Sequence, residues 1–182
     1  MPKISALFLA ISISLLLAGC SISPIDRSQQ PLVAISAEVP QDWHASGRFA
    51  YAGEDENQSG QFDWQQQGTN YQVRLFGPLG MSSVKIIGSS NQVAIESGEQ
   101  SYVSDQPDLL FFELTGMHIP ISELSQWMTG LVENNGENQD WQIIFDEYQH
   151  VGDYLLPTRI DIENDLSSMR IAIAEWSLEF VE

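Results

Sequence analysis

The side chains able to do chemistry are few and scattered. His44, His118 and His150 stand alone, with no His-x-His or His-Glu-x-x-His spacing, and Cys20 is the single cysteine, so neither a zinc site nor a dithiol has its ligands in the sequence. A nucleophile elbow needs Gly-x-Ser-x-Gly, a phosphate loop Gly-x-x-x-x-Gly-Lys-Ser/Thr, and a dinucleotide site Gly-x-Gly-x-x-Gly; none occurs. The 25 acidic residues, set against seven basic ones, read as a solvated surface rather than a general acid and base, and ENNGEN at 133–138 matches no calcium-loop spacing. The expectation is no catalytic residue, no metal and no cofactor: a protein that binds.

Cys20 is where covalent chemistry is expected. One positive charge at Lys3, an apolar run over 4–17 and then Leu17-Ala18-Gly19-Cys20 form a secretory signal too short for a spanning helix. It ends like a bacterial lipobox, in which the cysteine is acylated and becomes the first residue. Ser21 stands where an Asp commonly holds lipoproteins at the inner membrane, which points to the outer membrane, with the chain lipid-anchored on its periplasmic face. Residues 1–19 are then a signal peptide, 20–40 a tether punctuated by Pro24, Pro31 and Pro40, and 41–182 one domain. Fully extended, the tether spans about 65–70 Å. Leu32, Ile35 and Val39, following Ser28 and Pro31, predict one short helix inside it. The formal net charge of −18, which loses Lys3 with the signal, excludes a phosphate-tracking surface and repels anionic head groups. Nucleic acid is excluded, and membrane contact must be hydrophobic. Two or more acyl chains on Cys20, at about 0.8 kcal/mol per buried methylene, supply a stable anchor.

From residue 41 onward the hydrophobic period is two. WHASGRFAYA places Trp43, Ala45, Gly47, Phe49 and Tyr51 on one face; after the charged turn GEDEN, QSGQFDWQQQ places Gly60, Phe62 and Trp64 on one face, and the two runs pair as a hairpin. YQVRLF, SVKIIG, QVAIES and SYVS continue an antiparallel meander, which WQIIFDEY, LPTRIDIEN and SMRIAIAEWSLEF resume after a helical interruption. The interruption holds two helices. The first has Asp105 as cap, Leu109, Leu110, Phe112 and Leu114 as its body and Gly116 as its stop. The second has Pro120 at its start, Ile121, Leu124, Trp127, Met128 and Leu131 at spacings of three and four, and Gly130 near its end. Many strands with a helical insertion predict an α+β fold: an incomplete antiparallel β-barrel, a curled sheet covered by short helices, enclosing an apolar space.

One turn is anomalous. In VRLFGPLGMSSVKI, residues 73–86, Pro78 pre-sets a turn and Gly77 and Gly80 relieve its backbone, yet Leu79 and Met81 put apolar side chains where hairpins normally carry polar ones.

The lipobox, WHASGRFAY, SGQFDWQQ, YQVRLFGPLG, LTGMHIPISELSQWMTG and LPTRIDI…RIAIAEW, in this order over essentially the whole mature chain, resemble the LolB outer-membrane lipoprotein receptors. The resemblance implies a half-barrel whose hydrophobic cavity accepts acylated lipoproteins from the periplasmic chaperone LolA and releases them into the inner leaflet of the outer membrane. It implies a monomer working down a ladder of affinities, since no nucleotide loop is present to drive transfer. For the cavity wall the expectation is Phe49, Phe62, Trp64, Leu75, Ile86 and Ile95 from the strands and Leu110 and Trp127 from the helices, each of which equally well fills a solid core. Arg48, of opposite parity to Phe49, reads as a surface arginine. In the LolB family a leucine in the loop after the equivalent strand protrudes and helps pass cargo to the membrane, and GPLG matches that loop with Leu79 in the leucine's place, Met81 beside it. LolA shares the fold, but a soluble chaperone would lack the lipobox. Two other readings stay open: an assembly lipoprotein binding another envelope component through its sheet, and an enzyme acting on lipid or cell wall, disfavoured by the missing motifs.

Overall fold

A computed structural model of the chain describes residues 39–77, 83–89, 92–131 and 140–178, all within the compact unit Ala34–Glu182. The signal segment, Cys20, most of the tether with its expected helix, and the turn residues Leu79 and Met81 lie outside the described residues.

The period-two runs become the strands β1 (Asp42–Gly53), β2 (Asn57–Gln67), β3 (Asn70–Phe76), β4 (Ser83–Gly88), β5 (Val93–Ser97), β6 (Gln100–Ser104), β7 (Gln142–Val151), β8 (Tyr154–Glu163) and β9 (Ser167–Ser177). They form one antiparallel sheet in the order β6-β5-β4-β3-β2-β1-β9-β8-β7, curled but not closed. β1 is the seam: it pairs with β2 on one side and β9 on the other, joining the early meander to the late one. Parity holds along it, with Trp43, Ala45 and Tyr51 buried and Arg48 and Ala50 exposed. The curl needs small residues on the inner face. At Gly47, where the β1/β9 register shifts, an added Cβ would meet the Ala172 carbonyl at 2.2 Å and the ring of Phe62, its partner on β2, at 2.9 Å.

Two helices bridge the open side. α1 (Pro107–Thr115) packs over β5 and β6, α2 (Ile121–Met128) over β8, and the two touch. α1 stops at Gly116, whose left-handed φ of 72° lets its N–H close on the Phe112 carbonyl at 2.8 Å. Its N-cap is Gln106 rather than the expected Asp105. Asp108, in the first turn of α1, instead accepts hydrogen bonds from the Ser122 N–H (3.0 Å) and hydroxyl (2.8 Å), holding the start of α2. Leu109, expected in the apolar body, is half exposed, because Leu110 and Phe111 turn the buried stripe away from it.

The two ends of the sheet differ. At one end Trp43 packs on Trp64 (ring centroids 5.6 Å apart) and Trp176 (5.2 Å), and Trp64 on Tyr71 (5.8 Å). Here the Trp64 indole N–H donates to Gln66 Oε1 at 2.9 Å and Gln66 Nε2 to the Gly68 carbonyl at 2.7 Å, so the buried polar atoms are paired. The other end, where Tyr51 faces Gln58 across β1 and β2, is not filled in this way.

Candidate functional site

Between sheet and helices lies a cavity of about 30 Å³ whose lining side chains are all apolar. Phe49, Phe62, Trp64, Val73 and Leu75 reach it from β1, β2 and β3, and Met169 and Ile171 from β9. Phe111 enters from α1, and Ile121, Leu124 and Met128 from α2. The extended strap between the helices adds Met117 and Ile119, which are 2% and 3% exposed.

Of the eight residues expected on the wall, Phe49, Phe62, Trp64 and Leu75 line the cavity. The other four lie elsewhere in the core. Ile86 and Ile95 oppose one another across β4 and β5, where α1 packs over the sheet, and both are fully buried away from the cavity. Leu110 is buried on α1 without facing it. Trp127 is fully buried and packs toward Trp141 (6.1 Å), its indole N–H without a partner among the described residues. The signal for the α2 contribution was present in the sequence: Ile121, Leu124 and Met128 fall at i, i+3 and i+7, one stripe, and Trp127 falls beside it. Met117 and Ile119 alternate with exposed His118, a period of two, but no strand forms there.

A volume of 30 Å³ is about one water molecule's share of the liquid. Sites for small molecules run about ten times larger or more, so the cavity as it stands is too small to hold a ligand. Its neighbour is far larger. A cleft of about 750 Å³ shares Phe49, Leu75 and Met117 with the cavity and continues past Gln58, Ser59, Glu113 and Thr115 to Gly77. Met117 of the strap stands between the two spaces with Phe49 and Leu75, and polar side chains of the sheet hold the strap and the end of α1 from which it leaves. Gln58 Nε2 donates to the Thr115 carbonyl, the His118 N–H to Tyr51 Oη at 3.1 Å, and the Ser167 hydroxyl reaches the His118 carbonyl at 3.2 Å.

Charge is sorted across the sheet. All five basic residues among those described, Arg48, Arg74, Lys85, Arg159 and Arg170, have outward parity, most of them beside acids: Lys85 with Glu96 (3.5 Å), Arg159 with Glu147 (2.8 Å), Arg170 with Asp161, and Arg74 opposite Asp63. The hydrogen bond to Asp161 raises the pKa of the Arg170 guanidinium further. The cleft is lined by the carboxylates of Glu56 and Glu113 and, among the described residues, by no cation. No cluster of three or more metal-ligating side chains occurs among the described residues, and none of their helices is long and apolar enough to cross a membrane.

A family model described as outer membrane lipoprotein LolB matches residues 41–176. The chain is 30% identical to the outer-membrane lipoprotein LolB of Alkalilimnicola ehrlichii, with 91% of this chain and 93% of that one covered. It is 29% identical to the protein of the same name from Halorhodospira halophila, with 97% and 95% covered. Among solved structures it resembles a LolA superfamily protein from Nitrosomonas europaea at a TM-score of 0.42 and 12% identity, covering 79% of this chain and 89% of that one. The match along the sheet, the helical cover and the seam strands places the chain in one family: it belongs to the LolB family of outer-membrane lipoproteins.

Proposed function

We propose that the protein is an outer-membrane receptor that takes acylated lipoproteins from a LolA-type periplasmic chaperone into the space between its sheet and helices and passes them to the inner leaflet of the outer membrane. The observation that carries this is the wholly apolar cavity, which shares Phe49, Leu75 and Met117 with an adjoining cleft, in a chain of the LolB family. In this reading residues 1–19 are removed, Cys20 carries the acyl anchor, 20–40 is a tether, and 41–182 works as a monomer. Cargo moves because its chains are bound more tightly at each successive station, so binding chemistry is sufficient.

Leu75 tests the reading because it faces both cavity and cleft and is only half buried. Leu75→Glu places a carboxylate where acyl chains pass, at a desolvation cost of several kcal/mol. The wild-type chain should strip lipoprotein from loaded chaperone, and Leu75→Glu, with an unchanged circular-dichroism spectrum, should lose most of that transfer. Undiminished transfer by the folded variant would refute the proposed route.

A further inference from the structure

Cavity and cleft divide the chemistry of a ligand between them. The cavity offers apolar side chains only, so an acylated polypeptide whose chains fill it must leave its ester and amide groups outside. The shared wall of Phe49, Leu75 and Met117 fixes the way out as the cleft. Directly beyond that wall stands Gln58, whose parity on β2 is that of Gly60, Phe62 and Trp64, so an amide continues an otherwise apolar inner face. Its Nε2 donates to the Thr115 carbonyl and to Glu56 Oε2 at 2.7 Å, two N–H groups that a ligand carbonyl can take over once the strap moves.

The sign of the charge decides which head fits. A phospholipid and an acylated polypeptide offer similar chains, but one ends in a phosphate and the other in an uncharged ester and amide junction. Glu56 and Glu113 repel the first and tolerate the second, and no described cation in the cleft offsets them. We propose that the cleft is the headpiece subsite of the binding site assigned above, resting on that assignment: it takes the neutral junction where acyl chains join a polypeptide and rejects phosphate headgroups.

The test uses the mature chain with Cys20→Ser in place of the acylated residue, and three probes below their aggregation limits: a dioctanoylated lipopeptide of uncharged sequence, dioctanoylphosphatidylglycerol and 1-octanol. Tryptophan emission reads binding, since Trp64 lines the cavity. The wild type should prefer lipopeptide to phosphatidylglycerol. In Glu56→Gln/Glu113→Gln that preference should shrink about tenfold with octanol unchanged, and in Gln58→Leu lipopeptide binding should weaken several-fold relative to octanol. A purely structural effect of either change would move all three probes together, and that result, or an unchanged preference in the folded variants, overturns the subsite. Failure of the wild type to bind even octanol overturns the receptor reading itself.

Discussion

The ring of Phe49 lies across Gly60, its directly opposed partner on β2. A Cβ built on Gly60 would meet Phe49 Cε1 at 3.0 Å and the Phe76 carbonyl at 2.2 Å. The reciprocal pair, Phe62 across Gly47, sits beside it, so two aromatic rings lie low on the inner face and both line the cavity. Glycine here permits the close strand approach and leaves the rings room to lie flat. Gly60→Ala should therefore cost about 1–3 kcal/mol, since the nearer neighbour is backbone and cannot rotate away. Urea denaturation gives the number, and a midpoint equal to wild type would show that β3 yields instead.

The strap is held by groups that can be removed singly. Tyr51→Phe deletes the acceptor for the His118 N–H, and Ser167→Ala the hydroxyl at its carbonyl, while Met117 and Ile119 stay in place. At about 0.5–1.5 kcal/mol per hydrogen bond, the double variant should lose about 1–2 kcal/mol of stability. Amides of 116–119 should exchange faster, and cargo uptake should speed up. Faster exchange with unchanged uptake would mean that the strap is not the gate.

Much of this site was legible before any coordinates. Alternation placed Phe49, Phe62, Trp64 and Leu75 inward, and their burial is local: each depends only on which face of its own strand is covered. Gln58 has the same parity, and a polar residue on the core face was a readable sign of the cleft end. The pairing of β1 with β9 and the position of α1 over β5 and β6 were not legible, because contacts between distant segments leave no period in the sequence. Ile86 and Ile95 fell outside the wall for that reason: α1 packs over the sheet where they sit, and the sequence does not say where a helix lands.

Tyr71 gives a pH signature at the aromatic end. Burial first, and the nearby Asp108 carboxylate second, push its phenol up to about 12 from the ordinary 10. The folded state favours the neutral phenol, so its contribution is complete below pH 10 and is lost as pH climbs from 10 toward 12. Tyr148 is raised in the same direction by burial and Asp146, so it adds to the slope. Melting temperatures should fall across this window in the wild type and fall less in Tyr71→Phe. Identical losses in both proteins would remove Tyr71 as a source.

The hairpin of β3 and β4 closes with Phe76 opposite Ser83, and Gly77 lines the cleft, so the described residue from which the chain continues toward Leu79 and Met81 is at the cleft. If that cleft faces the bilayer, an apolar loop has a use there. Burying one leucine in lipid is worth about 1.5–3 kcal/mol, too little to hold a protein at a membrane. It is enough to bias a chain held by the acyl anchor proposed on Cys20 toward presenting its cleft to lipid. If the loop serves release alone, Leu79→Glu should leave folding and uptake from the chaperone close to wild type, while release of bound cargo into liposomes drops sharply. Leu79→Phe, which keeps the apolar area, should release at nearly the wild-type rate. Equal release by Leu79→Glu and wild type, measured from the same loaded complex, would remove the loop from the transfer step.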